Sequence, residues 1–277
     1  LDLPYVNQHD IRMLPNTFEA YLLADSEAPK FRYVAGHLTR MKRRDSDEFV
    51  HMSEAAGVPD SSKGVSTIGA HYAFTADLDL GAVNHYSRDL FNTFYAEANG
   101  AWHLSDALAM RLSAQYTDQR SVGDERLGSF DTSVYGLRAQ ASYGGGILTL
   151  AYTSTGNGSG IRNPYGGYPG FASVIVKDFN RAGEDAWLIG LSYNFEQVGW
   201  DGLSAFVNYV SGATPDSGRN ASPDQAELDF TVDLKPPKGL LEGVWLRARA
   251  AFVDQSGDGA RDLADYRVII NYSLPLL

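Results

Sequence analysis

The 277 residues carry 23 Lys and Arg against 34 Asp and Glu, a net charge of -11 that opposes a general nucleic-acid binder, since phosphate contacts need concentrated cations. The chain is 44% hydrophobic, yet no apolar run approaches the ~20 residues that a membrane-spanning helix requires. It has no Cys, hence neither disulfides nor thiolate metal sites, while 16 Tyr, 13 Phe and 28 Gly suit aromatic-bearing strands joined by glycine turns.

The opening residues 1–16 contain Pro4, Asn7, Asp10, Pro15 and Asn16 and read as an extracellular loop feeding a downward strand. No charged n-region with an apolar h-region precedes them, which does not exclude export. From there about thirteen candidate strands follow, each of the roughly 9–11 residues that a tilted strand needs to cross a bilayer. Short joins are predicted at 25–30, 75–77, 104–106, 144–146, 196–202 and 236–243. Longer polar joins alternate with them at 43–66, 120–131, 156–185, 212–224 and 256–262, with 87–90 a shorter member of that set.

Within 107–118, Leu108, Met110, Leu112, Ala114 and Tyr116 share one face and Arg111, Ser113, Gln115 and Thr117 the other. Within 244–252, Val244, Leu246, Ala248, Ala250 and Phe252 oppose Trp245, Arg247, Arg249 and Ala251. In the closing segment, Tyr266, Val268, Ile270, Tyr272 and Leu274 alternate with Arg267, Ile269, Asn271 and Ser273. That segment resembles an outer-membrane terminal strand, with Leu277 in place of the usual terminal aromatic. A soluble β-sandwich also alternates, but gives no reason for short and long joins to segregate. The expected fold is an all-β, antiparallel transmembrane barrel with long extracellular and short periplasmic connections. Thirteen strands do not close, because single-chain bacterial barrels have an even number. Residues 1–277 are therefore expected to be one barrel domain lacking its N-terminal strands, either a fragment or a misstarted reading frame.

The remaining motifs are weak. His9, His37, His51, His71, His85 and His103 lack zinc-ligand spacing. Gly156-Asn157-Gly158-Ser159-Gly160 lacks the Lys and strand-to-helix setting of a phosphate loop. Asp254, Asp258 and Asp262, with Gly257 and Gly259, hint at Ca²⁺ without the closing bidentate Glu. No nucleophile elbow is present. Neither metal, cofactor nor catalytic residue is expected.

Several stretches resemble the OprD family of substrate-specific outer-membrane porins. They are Tyr5-Val6-Asn7-Gln8, Asn16-Thr17-Phe18-Glu19-Ala20-Tyr21, Gly36-His37-Leu38-Thr39, Ala55-Ala56-Gly57-Val58, Gly69-Ala70-His71-Tyr72-Ala73-Phe74, the run from Val176 to Glu184, and the run from Tyr266 to Tyr272, in family order. The resemblance implies a closed barrel of eighteen strands in the bacterial outer membrane, narrowed by inward-folded loops, of which five strands would be missing here. It implies passive diffusion of small carboxylates or amino acids, with outer-membrane lipid and small anionic or zwitterionic solutes as partners. A barrel hydrolase or an adhesin is the alternative.

Such a channel selects by width and field, and Arg suits a carboxylate ladder because it stays charged and binds bidentately. Wet-face positions supply Arg111, Arg138, Arg247, Arg249 and Arg267, the last three matching the family's basic ladder best because they lie on the last two strands. These cations could instead merely pair with Glu227, Asp229, Asp233 and Asp265 and stiffen the wall. Both roles can coexist, since Glu227, Asp229 and Asp233 alternate on one strand and could face the ladder, creating a transverse field whose acidic side favours an ammonium group. The 43–66 loop resembles the family's constriction loop, although a charged loop is as readily a solvated lid. The 168–184 stretch is a second candidate, through Lys177, Asp178 and Arg181.

Overall fold

The computed structural model describes residues 1–9, 14–25, 27–239, 242–257 and 260–273. Asp10, Asp258, Gly259, Leu274 and Leu277, which entered the sequence expectations, lie outside the described residues. Thirteen long strands form one antiparallel sheet: β1 (Thr17–Asp25), β2 (Phe31–Lys42), β4 (Val65–Ala73), β5 (Leu78–Ser87), β6 (Phe91–His103), β7 (Leu108–Ser121), β8 (Asp131–Tyr143), β9 (Gly146–Thr155), β10 (Asp185–Asn194), β11 (Leu203–Ala213), β12 (Asp224–Leu234), β13 (Val244–Ser256) and β14 (Leu263–Tyr272). A three-residue strand, β3 (Phe49–His51), pairs with β2 inside the first long connection and leads into the single-turn helix α1 (Met52–Ala55). It was not anticipated from alternation, which three residues cannot display.

Each long strand pairs with its sequence neighbour, so the sheet is a meander, and short turns alternate with long loops at its two ends. Among the described residues β1 and β14 do not pair with each other, and the sheet is open. In the β10–β11 turn, Gly202 has a φ of +77°, and a Cβ there would sit 2.0 Å from the Lys235 carbonyl oxygen. Left-handed backbone costs an L-residue about 1–2 kcal/mol. Gly202→Ala should therefore lower stability by about that amount or more, measured by urea unfolding in lipid.

The two faces of the sheet invert the arrangement of a water-soluble protein. On β12, Gln225, Glu227, Asp229, Thr231 and Asp233 are buried, while Phe230 and Val232 are exposed. On β8, Leu137 is 61% exposed, and on β7, next to it, Ser113, Gln115, Thr117 and Gln119 are buried. A soluble domain hides its large apolar side chains and keeps unpaired polar ones wet. Apolar outside and polar inside is the pattern of a strand wall that faces lipid.

The outer face also has aromatic margins. Tyr135 and Tyr143 stand eight positions apart on β8, both exposed, with Leu137 between them. At ~3.4 Å per residue and a tilt of ~40° their separation along the bilayer normal is about 20 Å, comparable to the ~25 Å apolar band of such walls. Tyr116 packs on Tyr135 with centroids 5.0 Å apart, and Tyr152 on Trp187 at 4.4 Å, on the long-loop side. Tyr72 with Phe74 (4.9 Å) and Tyr193 with Phe195 (5.0 Å) mark the short-turn side.

The sheet curls around segments that fold against its inner face. One apolar cluster joins Val6 to Leu38 and Met41 of β2, to Met52, Ala55 and Val58 of the β2–β4 connection, and to Leu90, Phe91, Phe130 and Tyr165. The charged 43–66 connection thus buries an apolar segment inward. Residues 1–9, read from the sequence as an extracellular loop, are packed inside. Tyr5 and Val6 are fully buried, the Tyr5 hydroxyl and Thr117 Oγ1 of β7 are 2.8 Å apart, and His85 Nε2 donates to the Pro4 carbonyl at 2.8 Å.

Candidate substrate pathway

Same-face residues lie about 6.6–6.8 Å apart along a strand and about 4.8 Å apart between strands, so register turns the β12–β14 wall into a grid. Its rows are Asp229, Ala251 and Asp265; then Thr231, Arg249 and Arg267; then Asp233, Arg247 and Ile269. Arg247 grips Asp233 with Nε and Nη2 at 2.7 and 2.9 Å. Its guanidinium lies 4.6 Å from the ring centroid of Trp245, which itself donates Nε1–H to Asp233 at 2.6 Å. Lys235 Nζ sits 4.1 Å from the same ring. Arg267 grips Asp265 at 2.9 and 2.8 Å.

Arg249 differs from both neighbours. It donates Nε–H to Thr231 Oγ1 at 3.2 Å and makes no ion pair among the described residues. Directly opposed like charges destabilise a sheet. Asp265 pairs with Arg267 in the Arg249–Arg267 row, while Asp229 and Asp233 in the rows on either side act on Arg249 only at longer range.

The connection 156–184 crosses in front of this wall. Its residues 175–177 present three backbone N–H groups to β12: Ile175 donates to Asp229 Oδ2 at 3.1 Å, Val176 to Glu227 Oε1 at 2.8 Å and Lys177 to Glu227 Oε2 at 2.8 Å. Arg267 Nη2 donates to the Ile175 carbonyl at 3.4 Å. Farther along, Phe171, Ala172 and Phe179 cover an apolar patch of the inner wall made by Ala151, Ala186, Leu188 and Val210 of β9–β11. At the other end, the Arg138 guanidinium of β8 lies 4.2 Å from the centroid of Phe171. The Gln115 amide of β7, with Nε2 turned to the Pro169 carbonyl and Oε1 to the Phe171 N–H, matches both at 3.1 Å. The loop is thus fastened from β7 to β14.

Not all sequence-selected residues meet at one place. Arg247, Arg249 and Arg267 form one wall, and Glu227 and Asp229 sit directly above it, engaged with loop amides. Arg138 and Arg111 are on β8 and β7, separated from that wall by β9, β10 and β11. Arg138 Nη2 donates to Ser113 Oγ at 3.4 Å, whereas Arg111 is exposed on the inner face and makes no hydrogen bond or ion pair among the described residues. The Lys177 amide is bound to Glu227, and its ammonium has no ion-pair partner among the described residues. Arg181 is tied to structure, with Nη2 on buried Glu184 at 2.6 Å and Nη1 on the Pro223 carbonyl at 2.6 Å and Ser222 Oγ at 2.9 Å. Glu184 also accepts Gln225 Nε2–H at 2.9 Å.

Asp178 lines a cavity of about 340 Å³ where residues 1–9, the β2–β4 connection and the 156–184 loop meet, beside His9, Asn16, Arg43, Arg44 and Asn163. Burial raises its carboxyl above the usual aspartate range, opposed by hydrogen bonds from Ser173 and Asn163 and by the charge of Arg44. A raised value in the seated loop means that seating is fully favoured below the ordinary aspartate pKa. That support is lost as pH rises through the window up to the raised value. Open-channel current noise should therefore fall on acidification through that window in the native protein, and the response should be flatter in Asp178→Asn. Equal pH responses of the two proteins would contradict this.

Sequence reasoning placed Trp245 on the wet face and Phe171 and Phe179 within the 168–184 candidate without giving any of them a role, and it passed over Lys235. The signal for the two phenylalanines was present: the run Ala186-Trp187-Leu188-Ile189 is apolar on both faces, so its inner positions required a cover.

The sequence matches a family described as outer membrane porin, OprD family, over residues 1–276. No curated protein sequence matches it significantly. Among solved structures, Pseudomonas aeruginosa OccK9 (OpdG) superposes with a TM-score of 0.90 at 24% identity, covering 100% of this chain and 71% of that one. OpdK from the same organism, solved with vanillate, gives 0.89 at 22%, covering 98% and 72%. P. aeruginosa OpdL gives 0.86 at 25%, covering 99% and 76%. These likenesses show the fold.

Proposed function

Since the chain belongs to the OprD family of outer-membrane porins, and is therefore a channel and not an enzyme, we propose that it passes small carboxylates or amino acids selectively and without an energy source, residues 1–277 forming part of a single transmembrane barrel domain that lacks its N-terminal strands. The observation that carries this reading is Arg249, a cation on the inner wall with no ion-pair partner among the described residues, next to Arg267 and below a loop that fills part of the lumen. A solute carboxylate supplies the direct ion-pair partner that Arg249 lacks, and its two oxygens suit the guanidinium fork. Passing contacts then lead from Lys177 to Arg249 and Arg267, and on to Lys235 past the locked Arg247. A conducting pore needs such sites to be attractive enough to enter and weak enough to leave. That OpdK has been solved with vanillate, itself a carboxylate, is in keeping with this class of solute.

Proteoliposome swelling tests the reading. Small carboxylates should enter faster than uncharged amides of the same size, and the margin should shrink as salt screens the wall. Equal rates for both would contradict it.

A further inference from the structure

We infer that Glu227 and Asp229 are positioning residues: they hold the 175–177 segment in the lumen, and so set the pore's width, without touching solute themselves. The inference rests on the lumen being the conducting path. Three consecutive loop amides converge on two carboxylates, and both oxygens of Glu227 are used, one per amide. Successive N–H groups pointing the same way make an anion-binding concavity, and here the protein's own wall fills it. Both side chains are only 1% exposed, which leaves no surface on which a passing ammonium group can dock. The clamp is also directional. The held segment presents Lys177 and Asp178, so the carboxylates fix where those charges stand in the pathway. Across β13 the neighbours of Glu227 and Asp229 are Val253 and Ala251, which offer no competing donor side chain, so the loop amides have the carboxylates to themselves on that side.

Glu227→Gln preserves volume but leaves a single acceptor oxygen, and its NH₂ must face one of the two amides. The chain contains no Cys, so Val176→Cys gives a single reporter thiol within the held segment. Its maleimide labelling rate, read in detergent, should rise about tenfold when Glu227→Gln is added, because one hydrogen bond is lost and a buried amide is left unsatisfied. In planar bilayers Glu227→Gln should give a larger and noisier conductance while the reversal potential in a salt gradient hardly moves. Asp229→Asn should give the same pattern with a smaller amplitude, and it carries the test if the Glu227 variant does not fold. Unchanged labelling and conductance, together with shorter dwell of an ammonium-bearing solute, would overturn the inference and make Glu227 a solute contact. Labelling does not depend on conduction, so a protein that labels as expected yet passes no current would count against the pore reading and not against the clamp.

Discussion

Phe179→Ala should widen the pore and raise its single-channel conductance. Phe179 is 1% exposed and lies in the cluster that fastens the 156–184 loop to β9–β11. Its backbone is left-handed, with a φ of +51°, a conformation that costs a non-glycine residue about 1–2 kcal/mol. The ring offsets that strain, since truncating a buried Phe to Ala typically costs about 3–5 kcal/mol. Gly212 shows how closely the ring approaches the wall: a Cβ at that position would lie 2.6 Å from the Phe179 ring. Once the ring is gone, the strain remains and the apolar clasp does not. The loop end should then leave the wall even though the Glu227 clamp is intact. Phe179→Gly, which also removes the ring but relieves the strain, should open the pore less. A conductance unchanged in the alanine variant would mean that the loop is not a constriction.

Arg249→Ala should shorten the dwell of a carboxylate in the pore by about tenfold to a hundredfold, the loss expected for one charge-assisted pairing of about 1.5–3 kcal/mol. Arg249→Lys should recover part of it, since an ammonium keeps the charge and loses the fork. Arg247→Ala is the informative contrast. Arg247 is already bound at both ends of its fork by Asp233 and packed on Trp245, so its removal should unsettle Asp233 more than it shortens solute dwell. Equal losses from Arg247→Ala and Arg249→Ala would contradict the assignment of the unpaired cation.

Much of this fold could be read in advance because a membrane strand declares itself twice, by alternation and by the lengths of its joins. The predicted joins at 75–77, 104–106 and 144–146 fall within a residue or two of the observed strand ends. The β7 pattern of Leu108, Met110, Leu112 and Ala114 against Ser113, Gln115 and Thr117 matches the observed faces. What alternation does not encode is the covering of the inner face. Leu188 and Val210 look like breaks in the pattern until Phe171 and Phe179 are placed over them, and that placement comes from a long connection without a period of its own. Likewise, the burial of Tyr5 depends on contacts with β7 and with Tyr168, more than a hundred residues away, which local polarity does not report.

The site divides along the same line. That Arg247, Arg249 and Arg267 share a face follows from counting by twos. Which of them has a carboxylate follows only from register, because Asp233 meets Arg247 across the 235–243 turn while Thr231 falls opposite Arg249. The sequence could not distinguish an acid that faces solute from one that binds the backbone of a folded-in loop. Glu227 and Asp229 bind that backbone in the structure, as Arg181 binds Glu184.

The most direct test of the central claim is single-channel recording in a planar bilayer, with a small carboxylate and then its uncharged amide added on the long-loop side. The expected result is a steady current that the carboxylate interrupts in resolved events and the amide leaves undisturbed. A current indifferent to both solutes, or no current, would contradict it.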